Sequence, residues 1–230
     1  NAPILYIEED NIPETTWNEM ERLDPQGIFV DRNIKVILVG DIGESVKNKI
    51  KGNGWRFRHI EGRNPFILGK NTSDYLAAFH GDHRDDVIVA PIEKPELALP
   101  QGSWNAHMGD GFFFVRQDGV PLETSQALKD RYGDVYIYLM GDEVDIPPHV
   151  EAQLAEYGHV QRIPGGSDLY KLSSGFAGYK DVGRNFGWWI SKSPRSFGWG
   201  IAEAGHNFIF VNPDNWQAAV AASVLSHKGK

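Results

Sequence analysis

Residues 135–165 read VYIYLMGDEVDIPPHVEAQLAEYGHVQRIPG, and this stretch decides the fold. It begins with an apolar run that ends at Gly141-Asp142, continues through an amphipathic stretch, and closes with a second short run that ends at Gly165. The continuous apolar character of the first run predicts a strand that is covered on both faces. A strand, a turn and an amphipathic stretch in this order are typical of α/β proteins.

The same plan occurs once more, nearer the start of the chain. Residues 35–62 read KVILVGDIGESVKNKIKGNGWRFRHIEG. Gly40 and Gly141 lie 101 residues apart, while Gly62 and Gly165 lie 103 residues apart, and a Pro-Pro turn in the later copy accommodates the two extra residues. An internal period of about 100 residues predicts tandem copies of one module.

The similarity extends to the segments on either side. ILYIEED at residues 4–10 resembles FFFVRQD at 112–118, and DDVIVAP at 85–91 resembles HNFIFVNP at 206–213. We therefore predict a first repeat module at 1–85 that lacks its opening segment, a complete second module at 86–182, an aromatic Gly-rich linker at 183–205, and the opening segment of a further module at 206–230. We expect this last segment to complete the first module, within one chain or between chains, unless the sequence is part of a longer protein.

Strand and helix alternate along both copies, so we predict the α/β fold class, with tandem three-layer modules and mainly parallel sheets. We expect strands at residues 4–7, 35–39, 112–115, 135–140 and 208–211. We expect helices that begin near residues 15, 122, 149 and 216, and one that follows Gly40-Asp41 and carries Val46 and Ile50. The stretches at 91–110 and 166–205 are rich in Gly, Pro and Ser, which predicts less regular structure there.

Composition excludes several classes of protein. The 230 residues carry a formal net charge of −8, which argues against general binding to nucleic acid or to anionic membrane surfaces. No apolar run approaches the roughly 18 residues of a membrane span. Because the chain has no cysteine, it has neither disulfides nor a cysteine nucleophile. It also lacks the Gly-rich phosphate loops and the serine elbow, so we predict no cofactor and no catalytic residue.

Two motifs carry a resemblance to a known family. LMGDEVDIPPHVEAQL with HVQRIPG, and more weakly VILVGDIGESVKNKI with RHIEG, resemble the cell wall binding repeat 2 family of surface-layer (S-layer) and wall-associated proteins. The resemblance implies a noncatalytic extracellular protein at the cell surface, attached to an anionic envelope polymer or to other copies of itself. The helix of Arg-Tyr-x-Thr-Ala type that usually follows the family's Ile-x-Gly is absent from both copies.

Two groups of residues are candidates for binding such a polymer. Arg56, Arg58 and Arg63 form a local basic stretch, which a chain of net negative charge would need in order to hold an anionic polymer. The Gly-rich linker region supplies the large rigid side chains of Trp188, Trp189 and Trp199. Each group also has a purely structural alternative. The arginines would then belong to a solvated helix face and the strand edge that follows it. The tryptophans would belong to a loop that packs into the module boundary.

A different function would use the carboxylates that follow the predicted strands. Asp41, Asp142 and Asp145 lie just past the carboxyl ends of these strands, where open α/β sheets bind ligands. Clustered carboxylates there suit Mg²⁺ or Ca²⁺, so the alternative is a divalent-metal-dependent enzyme or a small-ligand receptor. An aspartate at such a position also caps the helix or turn that follows it.

Overall fold

The computed structural model describes residues 4–27, 32–131, 135–182, 196–204 and 209–212. It divides into two compact units, residues 1–81 and 82–230. Both units consist of helices and mainly parallel sheets, so the predicted α/β class is confirmed. The repeat boundaries at residues 85, 182 and 205 stay predictions.

Among the described residues of unit 1, which are 4–27 and 32–81, there are two parallel strands and three helices. They are α1 (Glu14–Leu23), β1 (Ile34–Val39), α2 (Glu44–Gly52), β2 (Arg56–Ile60) and α3 (Pro65–His80). Strand β1 pairs in parallel with β2, with Ile37 opposite Arg58 and Val39 opposite Ile60. Helix α3 begins where Asn64 Oδ1 accepts the amide protons of Phe66 and Ile67 at 3.0 and 2.9 Å, which satisfies two free helix amides.

The core of unit 1 lies on one face of this sheet. Val46 and Ile50 are four residues apart on α2 and are both buried, as the helical period requires. They pack with Ile12, Met20, Leu38 and Ile42. Residues Leu5 and Ile7 of the N-terminal segment pack at the edge of this cluster.

The predicted strand at residues 4–7 is wrong, because no described strand pairs with this segment. Its side chains nevertheless alternate as they would in a strand. Leu5 and Ile7 face the core, whereas Ile4 and Tyr6 are 63% and 74% exposed. The apolar pattern was interpreted correctly, but an isolated strand is unstable without a hydrogen-bonded neighbour.

The described part of unit 2, residues 82–230, contains a sheet of four parallel strands. Its elements are β3 (Asp86–Pro91), a 3-10 helix (Pro95–Gln101), α4 (Gly102–Met108), β4 (Gly111–Val115), α5 (Leu122–Lys129), β5 (Val135–Leu139), α6 (Pro148–Ala155), β6 (Gly158–Arg162), α7 (Leu169–Gly178), β7 (Asp181–Val182) and β8 (Ser196–Phe197). The order is β4-β3-β5-β6, and β7 and β8 form a separate antiparallel pair. Helices therefore occur in both stretches that we expected to be less regular.

Helices cover both faces of the sheet of unit 2, which gives three layers. Val87 and Val89 of β3 face a cluster that includes α5 and α6, while Ile88 and Ala90 face a cluster that includes α7 and Trp104. All six residues of β3 are buried. This is the continuous apolar strand that parallel sheets place at their centre.

An aromatic stack forms the α7 side of unit 2. Tyr138 and Phe197 stack with their ring centroids 3.6 Å apart, and Tyr138 donates its hydroxyl proton to Asp181 Oδ2 at 3.0 Å. Burial raises the pKa of Tyr138, and the neighbouring carboxylates of Asp86 and Asp181 raise it further. Phe197 comes from the predicted linker region, so at least part of that region belongs to the core of unit 2.

The closing glycine of each repeat copy is required by close packing. A Cβ atom on Gly62 would lie 2.7 Å from Leu68 Cβ in α3, and one on Gly165 would lie 2.3 Å from the backbone nitrogen of Leu172 in α7. Gly165 also has a φ of +124°. Only glycine lets the helix that follows approach this closely.

Among the described residues, no helix is both long enough and apolar enough to cross a membrane. The predicted strand at 208–211 and helix near 216 fall largely outside the described residues. Of that region the structure describes 209–212, which have no regular secondary structure.

Candidate functional site

A groove of about 460 Å³ lies in unit 1 between β2 and α3. Strand β2 contributes Arg58 and Ile60, and helix α3 contributes Asn71, Asp74 and Tyr75. Side chains alternate along a strand, so Arg56 and Arg58 project from the same face of β2, and both are exposed. The structure thus brings two of the three predicted arginines to one surface.

Several polar groups in and beside the groove form ion pairs or hydrogen bonds with one another. Lys70 Nζ lies 2.6 Å from Asp74 Oδ2, and Glu61 Oε1 lies 3.3 Å from His59 Nδ1. Asn71 donates a side-chain proton to the backbone carbonyl of Glu61 at 2.8 Å. No described carboxylate forms an ion pair with Arg58. Arg58 is therefore a cation of this groove that can meet an anionic group from outside.

The third arginine lies apart from the lining of the groove. Arg63 is 85% exposed and has its Nε 3.9 Å from Asp41 Oδ2. A pair at this distance and exposure contributes little to stability. Asp41, one of the predicted metal ligands, is thus beside a cation in the described structure.

A polar cluster lies at the carboxyl ends of β3 and β5 in unit 2. These adjacent strands connect in opposite directions across the sheet, and the crevice at such a point is where open α/β sheets usually bind ligands. Asp145 is 1% exposed there, with Lys94 Nζ 2.7 Å from its Oδ1. The hydroxyl of Ser167 donates to Asp145 Oδ2 at 2.5 Å. A lysine and a serine therefore occupy both oxygens of this buried carboxylate.

Asp142 has a mainly local role in the same cluster. Its Oδ1 accepts the backbone proton of Val144 at 2.9 Å and that of Asp145 at 3.4 Å. The pKa of Asp142 is lowered, first by its hydrogen bond with the Ser167 side chain and then by these backbone N–H groups. The geometry of Asp142 is that of a turn cap.

The Asp145 carboxylate stabilises the charged form of the Lys94 ammonium. The pKa of Lys94 is raised, chiefly by hydrogen bonding to Asp145 and against the opposing effect of desolvation. A cation thus already occupies the mouth of the cluster. Among the described residues, no three His, Asp or Glu side chains are placed to hold one metal ion. The metal function proposed for Asp41, Asp142 and Asp145 stays a hypothesis.

Arg162 fastens the end of β6 to the loop after β5. It donates to Glu151 Oε2 from Nε at 3.0 Å and from Nη2 at 2.6 Å. It also donates to the carbonyls of Gly141 and Ile146, at 3.2 and 2.6 Å. This fork of donors is a geometry that only arginine supplies.

The predicted aromatic platform is only partly described. Trp188 and Trp189 lie outside the described residues. Trp199 packs edge-to-face on Trp104, with ring centroids 5.1 Å apart, and stacks near His107 at 6.3 Å. Its partly buried ring belongs to the aromatic side of unit 2, so the described contacts of Trp199 match the structural alternative.

Three residues of the polar cluster were missed from the sequence. Arg162 lies in the Arg-Ile-x-Gly motif, which marked it without indicating a role. Lys94 follows β3 by three residues, and its position past a strand end could have indicated it. Ser167 has no local signal, because its partner lies 22 residues earlier in the chain.

No protein-family model matches the chain. A search of curated proteins finds an amidase enhancer of Bacillus subtilis (strain 168), 25% identical over 174 residues. The match covers 76% of this chain and 22% of the relative. The chain therefore spans about a fifth of that protein.

Two solved structures share the fold. Cwp8 from Clostridium difficile matches with a TM-score of 0.67 and 14% identity, over 99% of this chain and 35% of that one. Cwp6 from Clostridium difficile matches with a TM-score of 0.59 and 17% identity, over 73% of this chain and 26% of that one. These likenesses, with the amidase enhancer, fit a cell wall binding repeat family.

Proposed function

We propose that this chain is a noncatalytic structural or binding protein of the extracellular cell envelope, of the cell wall binding repeat type. The observation that carries the proposal is the fold likeness to the cell wall protein Cwp8 along 99% of the chain. The sequence likeness to an amidase enhancer supports the same class, because that match also covers most of this chain. These relatives support a cell-wall-associated protein.

The groove of unit 1 is the proposed binding surface, and an anionic wall polysaccharide is the proposed ligand. Arg58 supplies a cation for a phosphate or carboxylate group. Asn71, Asp74 and Tyr75 supply hydrogen-bonding groups for sugar hydroxyls. Arg56, on the same strand face, extends the positive surface beyond the groove. A local site of this kind can hold an anion although the whole chain is acidic.

Self-assembly through complementary half-modules is a further part of this proposed function. Unit 1 exposes apolar side chains on its sheet and in its N-terminal segment, notably Val39 and Tyr6. Surfaces of this kind favour completion by a matching segment, within one chain or between chains.

Sedimentation with purified bacterial cell walls tests the binding proposal. Walls are compared before and after extraction of their anionic polymers. Replacing both groove-face arginines, Arg56→Glu and Arg58→Glu, should lower the affinity for intact walls at least tenfold, and extraction should have a similar effect. The matched control carries the same charge change at two exposed lysines of unit 2, Lys129→Glu and Lys180→Glu, and should bind within twofold of the unsubstituted chain.

The same preparation tests the noncatalytic assignment. The chain alone should release neither soluble amines nor reducing sugars from the walls. Release of amines or reducing sugars that persists after further purification of the chain would contradict the noncatalytic assignment. Equal wall binding by the arginine double variant and the lysine double variant would contradict the proposed binding surface.

A further inference from the structure

One stripe of helix α3 forms the helix side of the groove in unit 1, and it changes from polar to apolar along its length. Its residues are spaced as one face of an α-helix requires: Asn71, Asp74, Tyr75, Ala78 and Phe79. At about 1.5 Å per residue, the stripe is about 12 Å long. Asn71 and Asp74 form its polar end, and Ala78 and Phe79 form its apolar end. A ligand that fits this groove therefore has a polar part and an apolar part.

The polar end of the groove suits hydroxyl groups better than anions. It lies at the end of β2, where Asn71 donates a side-chain proton to the carbonyl of Glu61 at 2.8 Å. The carboxylates of Asp74 and Glu61 both line the groove, and the Glu61 side chain is 71% exposed. Carboxylates accept hydrogen bonds from hydroxyl groups and repel other anions. The negative charge of a ligand is thus directed away from this end.

Arg58 is the group that can meet that negative charge. It is the one arginine or lysine among the described residues that line the groove. Its side chain is exposed, and no described carboxylate forms an ion pair with it. A second negative charge on the same ligand would find no further arginine or lysine in the described lining. The groove therefore suits a ligand group with a single negative charge.

The apolar end of the groove offers an aromatic surface. Phe79 is 41% exposed, and Tyr75 lies one helical turn before it on the same stripe. A pyranose ring carries C–H groups on its faces and hydroxyl groups around its edge. The negative face of an aromatic ring attracts such C–H hydrogens. An aliphatic chain would also fill the apolar end, but it would make no use of the hydrogen-bonding groups at the polar end.

We infer that the groove binds a pyranose ring that carries a single negative charge, with the ring stacked on Phe79 beside Tyr75. The charge pairs with Arg58, and the ring hydroxyls bond to Asn71 and Asp74. A carboxylate and a phosphodiester each supply one negative charge, and arginine binds both groups. The inference rests on the proposed function, and it adds the aromatic residues that select a sugar ring over other anions.

Titration with small probes, followed through backbone amide chemical shifts, tests the ligand class without cell walls. Glucuronate and the methyl phosphodiester of glucose 6-phosphate each carry one negative charge on a pyranose. At least one of them should bind in the groove at least tenfold more tightly than neutral glucose or hexanoate, and the tighter of the two identifies the charged group. Equal binding by glucose or hexanoate, or no shift of the groove amides with either charged sugar, would overturn the inference.

Replacing Phe79 tests the stacking contact. Phe79→Leu keeps an apolar side chain at an exposed position and removes the ring, so it should weaken binding of the charged sugar about fivefold, the size expected of an aromatic contact. The matched control is Tyr170→Leu in unit 2, where the native side chain is 73% exposed, and it should bind within twofold of the unsubstituted chain. Equal affinity of the two variants would overturn the inference.

Sedimentation with cell walls separates this inference from the proposed function. If Phe79→Leu binds walls as the unsubstituted chain does, while the arginine double variant does not, the binding surface is supported and the stacking contact is wrong. If the unsubstituted chain binds the charged sugar but not the walls, the proposed function is wrong and the inferred ligand class is supported.

Discussion

His59 and Arg162 occupy equivalent positions in the two copies of the repeat, and both reach the glycine carbonyl at the end of the preceding strand. His59 Nε2 lies 2.9 Å from the carbonyl oxygen of Gly40, and Arg162 Nη1 lies 3.2 Å from that of Gly141. The two glycines are themselves equivalent in the repeat. Different side chains thus tie the same two strand ends together. His59 Nδ1 also lies 3.3 Å from a carboxylate oxygen of Glu61, whereas Arg162 donates to Glu151 and to a second carbonyl, that of Ile146.

Replacing Arg162 should therefore destabilise unit 2. We expect Arg162→Ala to lower the free energy of unfolding by about 2 to 3 kcal/mol, because hydrogen bonds from a charged donor contribute about 1.5 to 3 kcal/mol and two carbonyls lose a donor. Urea unfolding followed by tryptophan fluorescence measures the change. Lys171→Ala is the control, since Lys171 is 76% exposed and its ion pair with Asp168 is 3.8 Å long. Equal stability of the two variants would show that the Arg162 fork is dispensable.

Lys94 and Asp145 should show strong energetic coupling. Lys94→Met leaves the buried Asp145 carboxylate without its cation, so we expect a loss of about 2 kcal/mol, below the range for fully buried pairs because the lysine is 43% exposed. Adding Asp145→Asn to that variant should recover more than half of the loss. A double-mutant cycle in urea measures the coupling. Additive effects of the two substitutions would mean that the ion pair contributes nothing.

The regular parts of the fold were predictable because local sequence dictates them. The continuous apolar character of β5 predicted a strand between two helical layers, and Val46 and Ile50 fell on the buried face of α2 as the helical period required. Gly62 and Gly165 were visible as the ends of the repeat. The physical reason for a glycine at these two positions is the close approach of the following helix, and only the folded backbone shows that approach.

The candidate site was less predictable because its contacts join distant parts of the chain. Arg58 was recognised from local basic charge, but Asn71 and Tyr75 face it only because α3 returns beside β2. Asp145 was recognised as an acid at a strand end, and its neutralisation by Lys94 depends on the adjacency of β3 and β5. Segment 4–7 failed as a strand because pairing depends on a neighbour that local sequence does not contain.

Asp142 should make unit 2 sensitive to acid. Its folded-state pKa is lowered below the ordinary value of 3.8, so its contribution is present above that value and is lost as the pH falls through the folded pKa. Asp142→Asn should therefore lower the Tm at pH 7, and the difference from the unsubstituted chain should disappear in stronger acid. Thermal scans from pH 7 to pH 2 measure this. A difference in Tm that is independent of pH would mean that the carboxylate charge is not involved.

Calorimetric titration with Mg²⁺ and Ca²⁺ separates envelope binding from the metal-dependent alternative. We expect no tight site, because the Lys94 ammonium already lies 2.7 Å from Asp145 Oδ1 and a divalent ion would have to displace it against like charge. The Lys94→Met variant removes this competitor and should bind a divalent ion more tightly than the unsubstituted chain. The alternative predicts that the unsubstituted chain binds a divalent ion tightly, that Asp142→Asn abolishes this binding, and that the control Asp118→Asn leaves it unchanged. That result would favour an enzyme or receptor that uses the strand-end carboxylates.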